Sequence, residues 1–308
     1  MNTSNSPLHS DIPRWILAIA PIVVLGAVLL FLYVTSPFGD AAAMGQASTA
    51  DVLWTLTIIS VFVGIVPVAI GMLWFPFIRT LDVRLIHGVL ALSAGVLAFV
   101  ALEMTDEAID YAGAAADPIL ASSIAIVAFV MTFLIMWRAS KWSHDKLRES
   151  DREGLGVAYL VAVGLGLHSI GEGIAIGSAF MLGEVSLVML LVIGFLIHNV
   201  TEGPTVVAAV ARDETLPAIR HFIALGLIAG GPLILGGWIG VVAFSPLLAA
   251  ALLAIGVGAI AQVIGEVVGL IRFDTQRVVT RLNTLGFVVG FSIMFLMEEV
   301  FLEQFLGL

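Results

Sequence analysis

The sequence has no cysteine, and only 12% of its 308 residues are charged. Without thiols there are no disulfides and no thiolate metal sites, which argues against copper(I) as an intended ligand. So few charges cannot clothe a water-facing surface. What fills the chain instead is apolar: 60% of residues are hydrophobic and the mean hydropathy is +1.11. A soluble domain has no use for that much apolar surface. The chain therefore reads as all-α and polytopic in a membrane, and counting domains by length does not apply. There is no appended soluble domain and no low-complexity tract, and no nucleic acid is expected as a partner.

Apolar runs of spanning length fall near 14–34, 52–78, 86–105, 118–137, 156–182, 187–211, 219–243, 247–271 and 284–305, which predicts about nine transmembrane helices. The first run is longer than the hydrophobic part of an ordinary signal peptide and lacks a clear small-x-small cleavage site, so it reads as a retained span. All 13 lysines and arginines fall on one side of this arrangement: Arg14; Arg79 and Arg84; Arg138, Lys141, Lys146, Arg148 and Arg152; Arg212 and Arg220; Arg272, Arg277 and Arg281. The intervening loops hold acids and no bases. The positive-inside rule then puts the N-terminus in the cytosol and the C-terminus outside, in an integral protein of the plasma (inner) membrane. A wrong span count would have scattered the bases.

Two hexapeptides carry the chemistry: H-S-I-G-E-G at 168–173 and H-N-V-T-E-G at 198–203. Each puts a histidine and a glutamate at i and i+4, on one helix face about one turn apart. The two spans join through a tight turn at 183–186, so they are antiparallel neighbours, and the motifs lie at similar depth. His168, Glu172, His198 and Glu202 can therefore surround one point near mid-membrane. Ionisable groups there cost several kcal/mol unless they meet a partner or line a wet cavity. Two imidazoles and two carboxylates suit a divalent metal ion. Ser169 and Asn199 follow the histidines and are candidate further oxygen ligands. Glycines at 164, 166, 171, 173 and 177 thin the first of these spans, allowing close helix approach. Pro204 has no N–H for the Val200 carbonyl, which could then face an ion or water.

These residues resemble the ZIP family of divalent-metal transporters, whose fourth and fifth core helices carry H-x-x-x-E-G motifs. The resemblance runs from Asp51 to the C-terminus. It implies an eight-helix core with helices one to three and six to eight in inverted repeat around four and five. Here one extra N-terminal span precedes that core. Residues 1–50 would comprise a cytosolic tail, the extra span and an external loop, and residues 51–308 the ZIP-like transport domain. By motif, His168 and Glu172 correspond to fourth-helix ligands, and His198, Asn199 and Glu202 to fifth-helix ligands. The chain departs from the pattern at Ser169, where many members have asparagine, and at Thr201, where proline is usual. Gly231 stands where bimetallic members supply a glutamate before a proline, so one metal site is the simpler reading. The cytosolic loop holds only His144, where many relatives are histidine-rich.

Glu103, Asp106, Glu107 and Asp110 form an acidic stripe at i, i+3, i+4 and i+7 near the outer end of the third span. With Glu298 and Glu299 in the ninth, Glu103, Asp106 and Asp110 are the expected entrance, where acid raises local cation concentration. Gln262 and Glu266, one turn apart in the eighth span, are the expected exit. The methionines read as packing.

The expected function is transport of divalent cations into the cytosol, with Zn²⁺ foremost and Fe²⁺, Mn²⁺, Co²⁺ and Cd²⁺ as alternatives. The metal would be the transported substrate, with no organic cofactor, and a homodimer in the lipid bilayer is plausible. Two other readings stay open. An intramembrane metalloenzyme would need a general base beside the metal, and neither motif places glutamate next to histidine. A cation or proton channel would need a looser site than four strong ligands make.

Overall fold

The computed structural model describes residues 13–35, 48–147, 153–183, 185–211, 213 and 215–296. Among them there is no strand. The helices are α1 (Arg14–Thr35), α2 (Thr49–Ser60), α3 (Val66–Met72), α4 (Phe75–Ile78), α5 (Val83–Ala114), α6 (Pro118–Leu147), α7 (Glu153–Leu182), α8 (Val185–Val210), α9 (Ile219–Gly230), α10 (Pro232–Val242), α11 (Pro246–Thr275) and α12 (Arg281–Phe295). A π-helical turn, Val61–Ile65, joins α2 to α3. Eight stretches are long and apolar enough to cross a membrane, and they coincide with the first eight predicted spans. The ninth is represented by α12, a 15-residue apolar helix.

The helices associate in two groups. One contains α2 to α4 and α7 to α10; the other contains α5, α6, α11 and α12. Their broadest mutual contact is between α7 and α11. α1 stands apart, touching chiefly α3 and α4, with 6% of its apolar stretch buried. Its anchor is polar. Pro21 lies inside α1 and leaves a backbone acceptor without its helical donor, and one residue along, the Ala18 carbonyl accepts the Trp74 indole N–H at 2.8 Å.

Prolines and glycines shape the first group together. A proline at position i has no N–H for the carbonyl at i−4, so that oxygen needs another neighbour. Pro204 frees Val200, and Pro232 frees Ile228. The Val200 oxygen lies against Gly71 of α3, and the Ile228 oxygen against Gly166 of α7, so closely that neither glycine has room for a Cβ. The expectation that the Val200 carbonyl faces an ion or water is thus corrected. It packs on a neighbouring backbone, where a glycine Cα–H is a weak donor. Gly71 meets Gly203 at the same crossing, and Gly64 meets Gly230 at another. In the second group Gly95, Gly286 and Gly290 let α5 and α12 approach equally closely. Without a hydrophobic drive between helices in lipid, such backbone contacts are what hold neighbours together.

Gly71→Val is therefore expected to force α3 from α8 and destabilise the fold by about 1–3 kcal/mol. Gly265→Ala and Gly269→Ala, where the space is open, should be neutral or stabilising by about 0.5–1 kcal/mol. Thermal unfolding of the purified variants in detergent checks the contrast. Equal effects at all three sites would contradict the role given to the crossing.

Candidate metal centre

α7 supplies His168 and Glu172, and α8 supplies His198 and Glu202, one turn apart on each helix. All four are at most 4% exposed. They meet crosswise. Glu172 of α7 reaches His198 of α8, with Oε1 2.6 Å from Nε2. Glu202 of α8 reaches His168 of α7, with Oε1 3.7 Å from Nε2. His168 Nε2 is also 3.6 Å from Glu172 Oε1. The imidazoles stack with centroids 5.8 Å apart and planes at 29°. One ligand atom each from His168, His198 and Glu202 lies within 4.8 Å of the others.

The separations matter chemically. Two donors about 2.1 Å from a tetrahedral metal stand about 3.4 Å apart. The contacts of His168 Nε2 with its two carboxylate oxygens are close to that spacing and too long for hydrogen bonds. Neither oxygen of Glu202 has a hydrogen-bond partner among the described residues. Burying a carboxylate in that state is costly unless a cation meets it. With ionised carboxylates and neutral imidazoles the cluster carries two negative charges, which a divalent cation balances. The cluster can therefore bind a metal ion.

Met104 of α5 completes one side. Its Sδ lies 2.8 Å from His168 Nδ1. A thioether only accepts, so a hydrogen bond here needs the proton on Nδ1, the tautomer that leaves the Nε2 lone pair for a metal. The sulfur is itself a soft donor at the edge of the cluster. Met104 packs in the buried core as expected, and that reading missed only its contact with His168. Its signal was position, since it directly follows Glu103 in the acidic stripe. Phe195 closes the other side, with its ring edge-on to His198.

Asn199 lies behind Glu172 in the cluster. Its Nδ2 donates to Glu172 Oε2 at 3.3 Å and to the Val63 carbonyl at 3.0 Å. That carbonyl is available because Pro67 stands where its helical donor would be. The π-helical turn at Val61–Ile65 thus fixes the amide that orients Glu172. Ser169 turns elsewhere: its hydroxyl is within hydrogen-bond distance of the Leu165 and Ala229 carbonyls, both at 3.0 Å, the second across to α9. Gly231 caps α9 with no side chain to offer.

The acidic stripe divides. Half-buried Glu103 and Glu107 line a cavity of about 20 Å³, together with Met104, His168, Glu172 and His198. That is room for about one water. Asp106 and Asp110 are exposed and do not line it. Glu298 and Glu299 lie outside the described residues. Gln262 and Glu266 do not line this cavity. Gln262 Nε2 donates to Glu266 Oε1 at 2.6 Å, and the Ser140 hydroxyl of α6 donates to the same oxygen.

No protein-family model matches the chain, and no curated protein matches it.

Proposed function

We propose that the protein carries divalent metal cations across a membrane, with the cluster of His168, Glu172, His198 and Glu202 as the transport site. The observation that carries this reading is Glu202. Its carboxylate is buried in a membrane-length helix, neither oxygen has a hydrogen bond among the described residues, and Oε1 faces His168 Nε2 across 3.7 Å. A metal cation satisfies all of these groups at once. Position supports movement rather than storage or catalysis, because the cluster lies at the contact of two antiparallel spans, and neither motif offers a general base beside an open metal position. The likeness of both motifs to the ZIP family supports the same reading.

The cation approaches past Glu103 and Glu107, exchanges water for imidazole and carboxylate, and leaves by Gln262 and Glu266. The one-sided distribution of the bases supports an orientation with the acidic entrance outside, and the likeness to the ZIP family supports movement toward the cytosol. Mixed nitrogen and oxygen donors suit Zn²⁺ first, and Fe²⁺, Mn²⁺, Co²⁺ or Cd²⁺ by the same chemistry.

Radiometal uptake into proteoliposomes tests the reading. The wild-type protein should give saturable uptake, and Glu202→Ala should remove it at every metal concentration. Uptake by Glu202→Ala at the wild-type level would overturn the assignment. Asn199→Ala, which only frees Glu172 to move, should weaken metal binding by about 10–100-fold.

Binding should also depend on pH. A proton and a metal compete for each imidazole, so affinity should fall as pH drops from 8 toward 5. Calorimetric titration across that range checks this, and a flat profile to pH 5 would exclude histidine ligation.

The two halves of the acidic stripe should separate by ionic strength. Asp106→Asn with Asp110→Asn should slow uptake only at low salt, because charges at the surface act over about 8–10 Å at physiological ionic strength. Glu103→Gln with Glu107→Gln should slow it at both low and high salt, because these side chains line the cavity itself. Identical salt dependence of the two pairs would contradict the division.

A further inference from the structure

The ends of α5, α11 and α12 enclose a second cavity, of about 370 Å³, that the transport reading does not use. Three arginines line it: Arg84 in the first turn of α5, Arg277 in the connector after α11, and Arg281 at the start of α12. Among the described residues no carboxylate forms an ion pair with any of them. The nearby acids are engaged elsewhere. Asp82 caps α5 by accepting from the Leu85 N–H at 2.9 Å, and Asp274 holds His87, a buried residue of the cavity wall, at 2.7 Å.

The connector is held in shape for this arrangement. Gln276 ends α11 with φ +54°, and the Thr275 hydroxyl reaches the Arg277 carbonyl at 3.1 Å. Asn283 Nδ2 donates back to the Val278 carbonyl at 2.8 Å, and Thr280 caps α12. The N-terminal end of the 15-residue α12, from Thr280 to Asn283, therefore lines the same cavity and adds the positive end of its dipole, with the Asn283 N–H taken by the Thr280 cap. Three guanidinium groups beside a helix N-terminus make a phosphate site, since each guanidinium can fork two hydrogen bonds to phosphate oxygens.

The surroundings point to the source of that phosphate. The cavity lies where the spans Val83–Ala114 and Pro246–Thr275 end, at the boundary between apolar and polar chain, on the base-rich side. Around it Val83, Phe273, Val279 and Leu285 are exposed, Phe273 at 78% and Val279 at 85%. Free phosphate has no use for that apolar rim, whereas acyl chains do. Anionic lipids are also concentrated in the leaflet that basic residues face.

We propose that Arg84, Arg277 and Arg281 form a binding site for the phosphate of an anionic lipid headgroup, with the acyl chains lying against Phe273 and Leu285.

Native mass spectrometry of the full-length protein tests this. The probes are phosphatidylglycerol, phosphatidylcholine with the same acyl chains, and inorganic phosphate. The wild type should retain phosphatidylglycerol in preference to phosphatidylcholine, and millimolar inorganic phosphate should not displace it. Each arginine near an anionic headgroup contributes about fivefold in affinity, so R84Q/R277Q/R281Q should lose on the order of a hundredfold. R277Q alone, the least disturbing change, should lose about fivefold and keep metal binding as a measure of folding. R138Q/R220Q, which removes two exposed bases outside the cavity, should leave retention unchanged. Undiminished retention by R277Q and by the triple variant would overturn the site. Displacement of the lipid by inorganic phosphate would overturn the lipid assignment.

Discussion

The structure turns on two carboxylates, Glu172 and Glu202, buried together between membrane-length helices. Lipid offers them no water, so each must find its compensation inside the protein. Glu172 finds part of it in His198 and Asn199. Glu202 has no hydrogen bond among the described residues and faces His168 Nε2 from 3.7 Å, with His198 close by. That asymmetry, with a second imidazole in the same space, is what lets the cluster take a cation rather than serve as polar glue between helices. The local arrangement follows from it. The i, i+4 spacing aims two side chains from each helix, Pro67 frees a carbonyl to hold Asn199, and Met104 sits against His168 Nδ1.

Bringing four bulky polar groups to one point requires the supporting helices to come closer than ordinary side chains permit. The proline–glycine pairs do this. Each proline exposes a carbonyl one turn back, and a glycine on the next helix receives it, at Val200 on Gly71 and at Ile228 on Gly166. The same chemistry that lets a helix bend thus also sets the distance to its neighbour. The second group, built around α5 and α11, contributes Met104, Glu103 and Glu107 to the site from across the α7–α11 contact. The site is therefore walled by both groups of helices, and a shift of one against the other would change its access.

Much of this was legible in the chain. Spans of twenty apolar residues and a one-sided set of bases are global signals that local irregularity does not erase, so the eight long spans were evident. The two hexapeptides were legible because helical periodicity alone places His168 with Glu172 and His198 with Glu202. What depended on rotation and crossing was not. Periodicity puts Glu103, Asp106, Glu107 and Asp110 on one broad face, but only packing shows that Glu103 and Glu107 line the cavity while Asp106 and Asp110 stay exposed outside it. The rule that proline frees a carbonyl holds at both Pro67 and Pro204. Which freed oxygen serves the cluster depends on the neighbour it meets, and that is Asn199 for Val63 and Gly71 for Val200. Met104 was invisible for the same reason, since a methionine in an apolar helix looks like packing until a histidine is found against its sulfur.

The central claim is that the buried cluster takes one divalent metal through both histidines, and X-ray absorption of the zinc-loaded protein tests it most directly. The account predicts a shell of nitrogen and oxygen neighbours at about 2.0–2.2 Å with the multiple-scattering pattern of two imidazoles, lost in the variant lacking His168 and His198. A zinc ion surrounded only by oxygen, with a spectrum unchanged in that variant, would contradict it.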